Sequence, residues 1–177
     1  QKVSISIRQI NLSSGQYFVN LNDQASEIVI SPTSPEAAII ARGDVYIVSG
    51  LSGNTKRVTN TPQQEKNVSF SNDGYRVIYS SERNGHWDVF QTYVNDTAKS
   101  FSTSLDLKEE QLSDEGADEI QPLFSPNGKR VVYREDRNSI KVYDLENDET
   151  YELLSNQQVY SYSDEDLTYS WSPDSQY

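Results

Sequence analysis

The chain has 177 residues, with 27 Asp and Glu against 15 Lys and Arg, for a formal net charge of −12. That balance argues against a nucleic-acid partner and against an anionic membrane surface, since both need clustered cations. With no cysteine, there is no disulfide framework, thiolate nucleophile or cysteine metal site, and no apolar run approaches the ~20 residues that span a bilayer.

A hydrophobic content of 34% with 12 tyrosines, frequent β-branched residues and serine, and no long segment of helical periodicity predict an all-β protein. No secretory leader is read at the start, and Gln1 in place of Met is read as the loss of upstream residues.

In chain order, Val3, Ile5 and Ile7 alternate along one strand and Tyr17, Val19 and Leu21 along the next, with residues 11–15 as the turn. This predicts a β-hairpin over 1–22, a lead-in or the end of a preceding domain. Residues 23–177 are predicted as a run of blades at 27–60, 66–113, 119–155 and 167–177. In the first, Ile28 to Ser31, Ala37 to Ala41, Asp44 to Val48 and Thr55 to Val58 are strand-sized, with Arg42-Gly43 and Ser52-Gly53-Asn54 as turns. In the second, Val68 to Ser71, Arg76 to Ser80, Trp87 to Tyr93 and Glu110 to Leu112 are strands, and the polar stretch Asn95 to Ser104 is an inserted loop. In the third, the strands are Pro122 to Ser125, Arg130 to Arg134, Ile140 to Asp144 and Thr150 to Leu154.

The segmentation rests on a repeat. Phe124-Ser125-Pro126-Asn127-Gly128-Lys129-Arg130-Val131-Val132-Tyr133 reads as strand, tight turn, strand. Pro126 presets φ for a turn, and Gly128 takes positive φ without a Cβ clash. Phe70-Ser71-Asn72-Asp73-Gly74 repeats it, Trp171-Ser172-Pro173-Asp174-Ser175 opens the same way, and Ile30-Ser31-Pro32 is a looser copy. The serines stand 40, 54 and 47 residues apart, the period of a propeller blade. A second landmark keeps the same order. Asp44-Val45-Tyr46, Asp88-Val89-Phe90 and Lys141-Val142-Tyr143 follow their turn serines by 14, 18 and 17 residues. The predicted fold is a β-propeller of four-stranded antiparallel blades in an incomplete ring, about three blades and the start of a fourth. Propellers have four to eight blades, so such an arc should leave an apolar blade face open.

The repeat resembles that of the tricorn protease family and of the Tol-system periplasmic propeller, where aromatic-Ser-Pro-Asp-Gly-Lys precedes an Asp-Ile-Tyr strand and a Leu-Thr strand. Ala41-Arg42-Gly43-Asp44-Val45-Tyr46 followed by Arg57-Val58-Thr59-Asn60-Thr61-Pro62 looks like the start of a propeller in tricorn-like peptidases. The resemblance implies a WD40-like, non-catalytic portion of a tricorn-like serine peptidase that filters or guides peptide and makes interdomain contacts. The alternative is a Tol-type protein-docking module with no peptidase attached. A stand-alone glycan- or small-molecule-binding propeller is a third reading.

No catalytic, cofactor or metal residue is assigned. His86, the one histidine, is read as a turn residue, because a triad needs a positioned partner that the sequence does not supply. Asp114-Glu115-Gly116-Ala117-Asp118-Glu119 and Asp164-Glu165-Asp166 offer hard oxygens for Ca²⁺ but lack ligand spacing, and are read as solvated loops. Trp87 and Trp171 are read as core between blades. Asn-x-Ser/Thr at Asn11, Asn67 and Asn95 is given no weight. The expected partners are the rest of the parent polypeptide and peptides or a protein partner, with self-association through exposed blade faces. The expected setting is the bacterial periplasm or cell surface, with the cytoplasm as the alternative.

Overall fold

A computed structural model describes residues 24–158 and 167–177. The hairpin expected over 1–22, the sequon at Asn11 and the Asp164–Asp166 cluster lie outside the described residues. Twelve strands are present among them, and none of the described residues is helical. No described helix is therefore long and apolar enough to cross a membrane.

The strands fall into three four-stranded antiparallel sheets, each in sequence order. Blade 1 is β1 (Ala25–Ile30), β2 (Glu36–Ala41), β3 (Asp44–Ser49) and β4 (Thr55–Arg57). Blade 2 is β5 (Glu65–Phe70), β6 (Arg76–Ser81), β7 (Asp88–Val94) and β8 (Leu107–Gln111). Blade 3 is β9 (Glu119–Phe124), β10 (Arg130–Glu135), β11 (Ser139–Asp144) and β12 (Glu149–Leu154). The first strand of each blade meets the first strand of the next, β1 with β5 and β5 with β9, so the blades fan out from that row of first strands.

Each blade packs flat on the next. Ile40, Val45 and Ile47 of blade 1 meet Phe70, Val77 and Tyr79 of blade 2. Ile78 and Val89 meet Phe124, Val131 and Tyr133 of blade 3. Covering on both faces explains why β6 and β10 are almost continuously buried rather than alternating. The valine of the repeated polar-Val-aromatic strand is core in every blade, at Val45, Val89 and Val142. Each such side chain contributes about 1.5–3 kcal/mol. The start of the fourth blade closes blade 3, where Tyr169 and Trp171 pack on Val132 and Val142. On the opposite face of blade 1, Ile28 is 70% and Ile30 74% exposed.

The repeated turn is built around its serine. Ser71 Oγ donates to Asp73 Oδ1 at 2.5 Å and accepts the Arg76 N–H at 3.0 Å. Ser125 does the same with Asn127 and Arg130, and Ser172 with Asp174 and Tyr177. Adjacent turns also bind each other: Thr33 Oγ1 donates to Asp73 O, Asn72 Nδ2 to Pro126 O, and Arg76 Nη2 to Gly128 O. Gly74 sits in this contact with φ +75°, and a Cβ there would stand 2.0 Å from Thr33 Oγ1. Gly53 has a similar φ of +70° but open space around it. Gly53→Ala is expected to cost about 1 kcal/mol and Gly74→Ala about 2 kcal/mol or more in urea denaturation. Equal costs would show that the turn-to-turn contact adds nothing.

The first strands begin three residues earlier than the sequence pattern suggests, at 25, 65 and 119 rather than 28, 68 and 122. The cause is a bulge in each, which breaks the alternation. In blades 2 and 3 it places Asn67 (φ 57°) and Gln121 (φ 58°) in the left-handed region. It also explains how Pro122 is accommodated in a strand.

Candidate functional site

Two features sit where the chain crosses from the outer strand of one blade to the first strand of the next. The first is a pair of buried carboxyls. After β4, Thr59 accepts the Val45 N–H at 3.0 Å and donates to Glu65 Oε2 at 2.8 Å. Thr61 and Ser81 donate to Glu65 Oε1, at 2.8 and 3.1 Å. After β8 the pattern recurs one blade on: Ser113 accepts the Val89 N–H at 2.9 Å and donates to Glu119 Oε2. The two carboxyls differ in what surrounds them. Glu65 faces Ser81 across the strand pair, whereas Glu119 faces Glu135, and Glu119 Oε1 has no hydrogen-bond partner. Burial pushes the Glu119 carboxyl up to about 7; Ser113 opposes this, while Asp88, Glu115 and Glu135 add to it. Burial also raises Glu65, opposed by its three hydroxyl donors.

Beside Glu119 lie groups that the sequence kept apart. His86 Nδ1 is 3.0 Å from Asp88 Oδ1. Asp88 is fully buried, and its Oδ2 accepts from Asn84 Nδ2 at 2.7 Å. His86, Asp88 and Asp114 each bring one ligand-type atom within 4.8 Å of the others. Lys141 is held by Glu115 and Glu135.

The second feature is a polar basin of about 590 Å³ lined by Lys66, Asp118, Ile120, Arg134, Arg137 and Asn156, among others. Its wall is cross-tied: Trp87 N–H donates to Asp118 Oδ1 at 3.1 Å, Asp136 N–H to Asp118 O at 2.7 Å, and Asp118 N–H to Asp136 Oδ1 at 3.2 Å. Lys66 Nζ lies 3.7 Å over the Trp87 ring. Burial lowers the Lys66 ammonium, and the Asp118 carboxylate partly restores it.

Trp171 is packed against blade 3, whereas Trp87 is half-buried under Lys66 beside the basin rather than part of the core. The Asp114–Glu119 run divides by position: Asp114 is exposed, Glu119 is core and Asp118 lines the basin. Asn67 serves in a bulge and Asn95 donates to Asp106. The buried carboxyls escaped the sequence reading, although a hydroxyl residue after the fourth strand stands six positions before each: Thr59 before Glu65, and Ser113 before Glu119.

No family model matches the chain. In sequence it is similar to the Tol-Pal system protein TolB of Bordetella parapertussis, 27% identical over 50% of this chain and 28% of that protein. The chain thus spans about a quarter of that relative. In structure it is similar to a protein described as TolB from Agrobacterium tumefaciens, with a TM-score of 0.56 and 19% identity, covering 70% of this chain and 47% of that one. It is also similar to the tricorn protease, with a TM-score of 0.53 and 12% identity, covering 78% of this chain and 13% of that one. Blade-by-blade packing, the repeated serine turns and these likenesses together make the chain a β-propeller module of the kind found in TolB and the tricorn protease.

Proposed function

We propose that this chain is a non-catalytic docking module, part of a longer protein, that receives polypeptide at the basin between blades 2 and 3. The observation that carries this reading is the basin's lining. Cationic and anionic groups stand there together with apolar Ile120, a mixture suited to the varied groups of a peptide or protein surface. The sequence relation to a Tol-Pal protein supports docking of a protein partner, and the periplasm is the compartment that goes with it. A second reading, peptide guiding for an attached serine peptidase, rests on the Ala41–Tyr46 and Arg57–Pro62 runs, which Arg57 and Asp44 join at 2.5 Å. Neither reading assigns His86 a triad role.

The test uses the full-length protein and an unfolded polypeptide, carboxymethylated casein, followed by the part of the tryptophan emission that Trp87→Phe removes and by gel. Docking predicts a saturable emission change with the casein left intact. Lys66→Ala should weaken it by about 1 kcal/mol, roughly fivefold. Cleavage of the casein would move the conclusion to peptide guiding. No response at either readout would remove the basin as a polypeptide site.

A further inference from the structure

The three groups beside Glu119 suit a ligand that the docking reading does not use. We propose that His86, Asp88 and Asp114 form a binding site for a first-row divalent transition-metal ion, zinc above all, clipping the β6–β7 hairpin to the crossing into blade 3.

The argument begins with Asp88. Its carboxyl is fully buried, yet Oδ1 makes no hydrogen bond. The nearby His86 Nδ1 is also buried and also makes none. The two atoms are 3.0 Å apart, within ion-pair range and within reach of one shared cation. In neutral imidazole one ring nitrogen carries a lone pair rather than a proton. With the proton on Nε2, Nδ1 and Oδ1 face each other as two lone-pair atoms that can share a cation.

Asn84 fixes the other Asp88 oxygen at 2.7 Å, so the carboxylate cannot turn away to find a donor. Asp114 supplies a third ligand atom, all three lying within 4.8 Å of one another. Ligands of a tetrahedral zinc stand about 3.3 Å apart, given bonds of about 2.0–2.1 Å. Asp114 is exposed and on a loop, so rotation of its side chain closes the difference. The lysine in this neighbourhood, Lys141, is held by Glu115 and Glu135. It does not serve the trio.

One imidazole and two carboxylates select the ion class. Calcium and magnesium take oxygen ligands and leave imidazole aside, whereas nitrogen and oxygen together suit zinc and its first-row neighbours. Three protein ligands leave a fourth position for water. Asp88 opens β7 and Asp114 follows 26 residues later in the crossing toward β9, so a bound ion would tie the β6–β7 hairpin to that crossing and stabilise the folded chain by mass action.

The experiment strips the full-length protein with a chelator and titrates it with Zn²⁺ by calorimetry and with Co²⁺ by visible absorption. The expected result is one Zn²⁺ at this site and a Co²⁺ ligand-field band. Asp114→Asn and His86→Gln should each weaken Zn²⁺ binding at least tenfold and lose the band, with far-ultraviolet dichroism unchanged. Asp96→Asn, in the loop after β7, should match the parent. Asp114→Asn keeps the proposal testable if the other variant misfolds, because its side chain is outside the core. Zn²⁺ affinity that neither variant changes, or no Zn²⁺ binding by the parent, overturns the site. Ca²⁺ binding as tightly as Zn²⁺ overturns the ion class.

Discussion

Replacing Phe101 by alanine is expected to lower stability by about 3–5 kcal/mol, the range for deleting a fully buried phenylalanine. Phe101 belongs to the loop between β7 and β8, yet it is completely buried. Its ring meets Phe70 edge-on, with centroids 6.0 Å apart at 75°, and joins the core shared by blades 1 and 2. The loop is tied to blade 1 by its backbone as well. The Ser102 N–H donates to Glu36 Oε1 at 2.8 Å, and Lys56 Nζ donates to the carbonyls of Phe101 and Ser104. Burial pushes the Glu36 carboxyl up, but hydrogen bonds from Ser102, Ser100 and Ser34 outweigh it and leave the carboxyl below its usual value. Four residues on, Leu105 is 97% exposed, and Leu105→Ala should fall within about 0.5 kcal/mol of the parent. Urea denaturation separates the two, and hydrogen exchange at Ser102 should accelerate only in Phe101→Ala. If both variants lose the same stability, the loop does not act as a brace.

The second large effect is a pH dependence centred on Glu119. Burial pushes its carboxyl up to about 7 in the folded chain, against 4.5 for an ordinary glutamate. A raised carboxyl pKa means that the folded state holds a proton which the unfolded state has released. This contribution is therefore fully present below about 4.5 and is lost as pH rises to about 7. The span corresponds to about 3 kcal/mol. With chelator present, unfolding free energy should fall between about pH 5 and pH 7. Glu119→Gln, which keeps the shape and stays neutral, should flatten most of that slope. Glu65 and Asp88 are raised by burial in the same direction, so a residual slope remains. A variant whose slope matches the parent would show that Glu119 ionises freely in the fold.

The turns were the most legible part of the sequence because their chemistry is local. A serine whose Oγ takes the N–H five residues on, as Ser71 does from Arg76, needs nothing from the rest of the chain. The valines of the third strands were equally readable, since burial on both faces keeps Val45 and Val89 apolar. What escaped was non-local or irregular. The bulges at Asn67 and Gln121 break the two-residue period, so the early parts of β5 and β9 read as loop. The stretch before β8 is polar by composition, and one phenylalanine among hydroxyl residues did not reveal that it plugs a core. The company kept by His86 was hidden because Asp114 arrives from the far end of the same blade's sequence, as the chain turns into the next.

The bulges carry a consequence for how such chains grow. Glu27, Asn67 and Gln121 occupy one repeat position, four residues before the turn serine. Glu27 accepts the main-chain N–H of Asn67 at 2.7 Å, and Asn67 accepts that of Gln121 at 3.2 Å. The first two units thus each offer a side-chain oxygen to the peptide backbone of the next, and the partner atom is one that every non-proline residue possesses. A duplicated unit inserted anywhere in the row would find its receptor ready-made, whatever its own sequence at that place. The fourth unit, with Thr168 there, keeps the oxygen while changing the residue again. Recognition between neighbours is thereby written in a grammar that tolerates rewording, which lets copies diverge without losing their place in line.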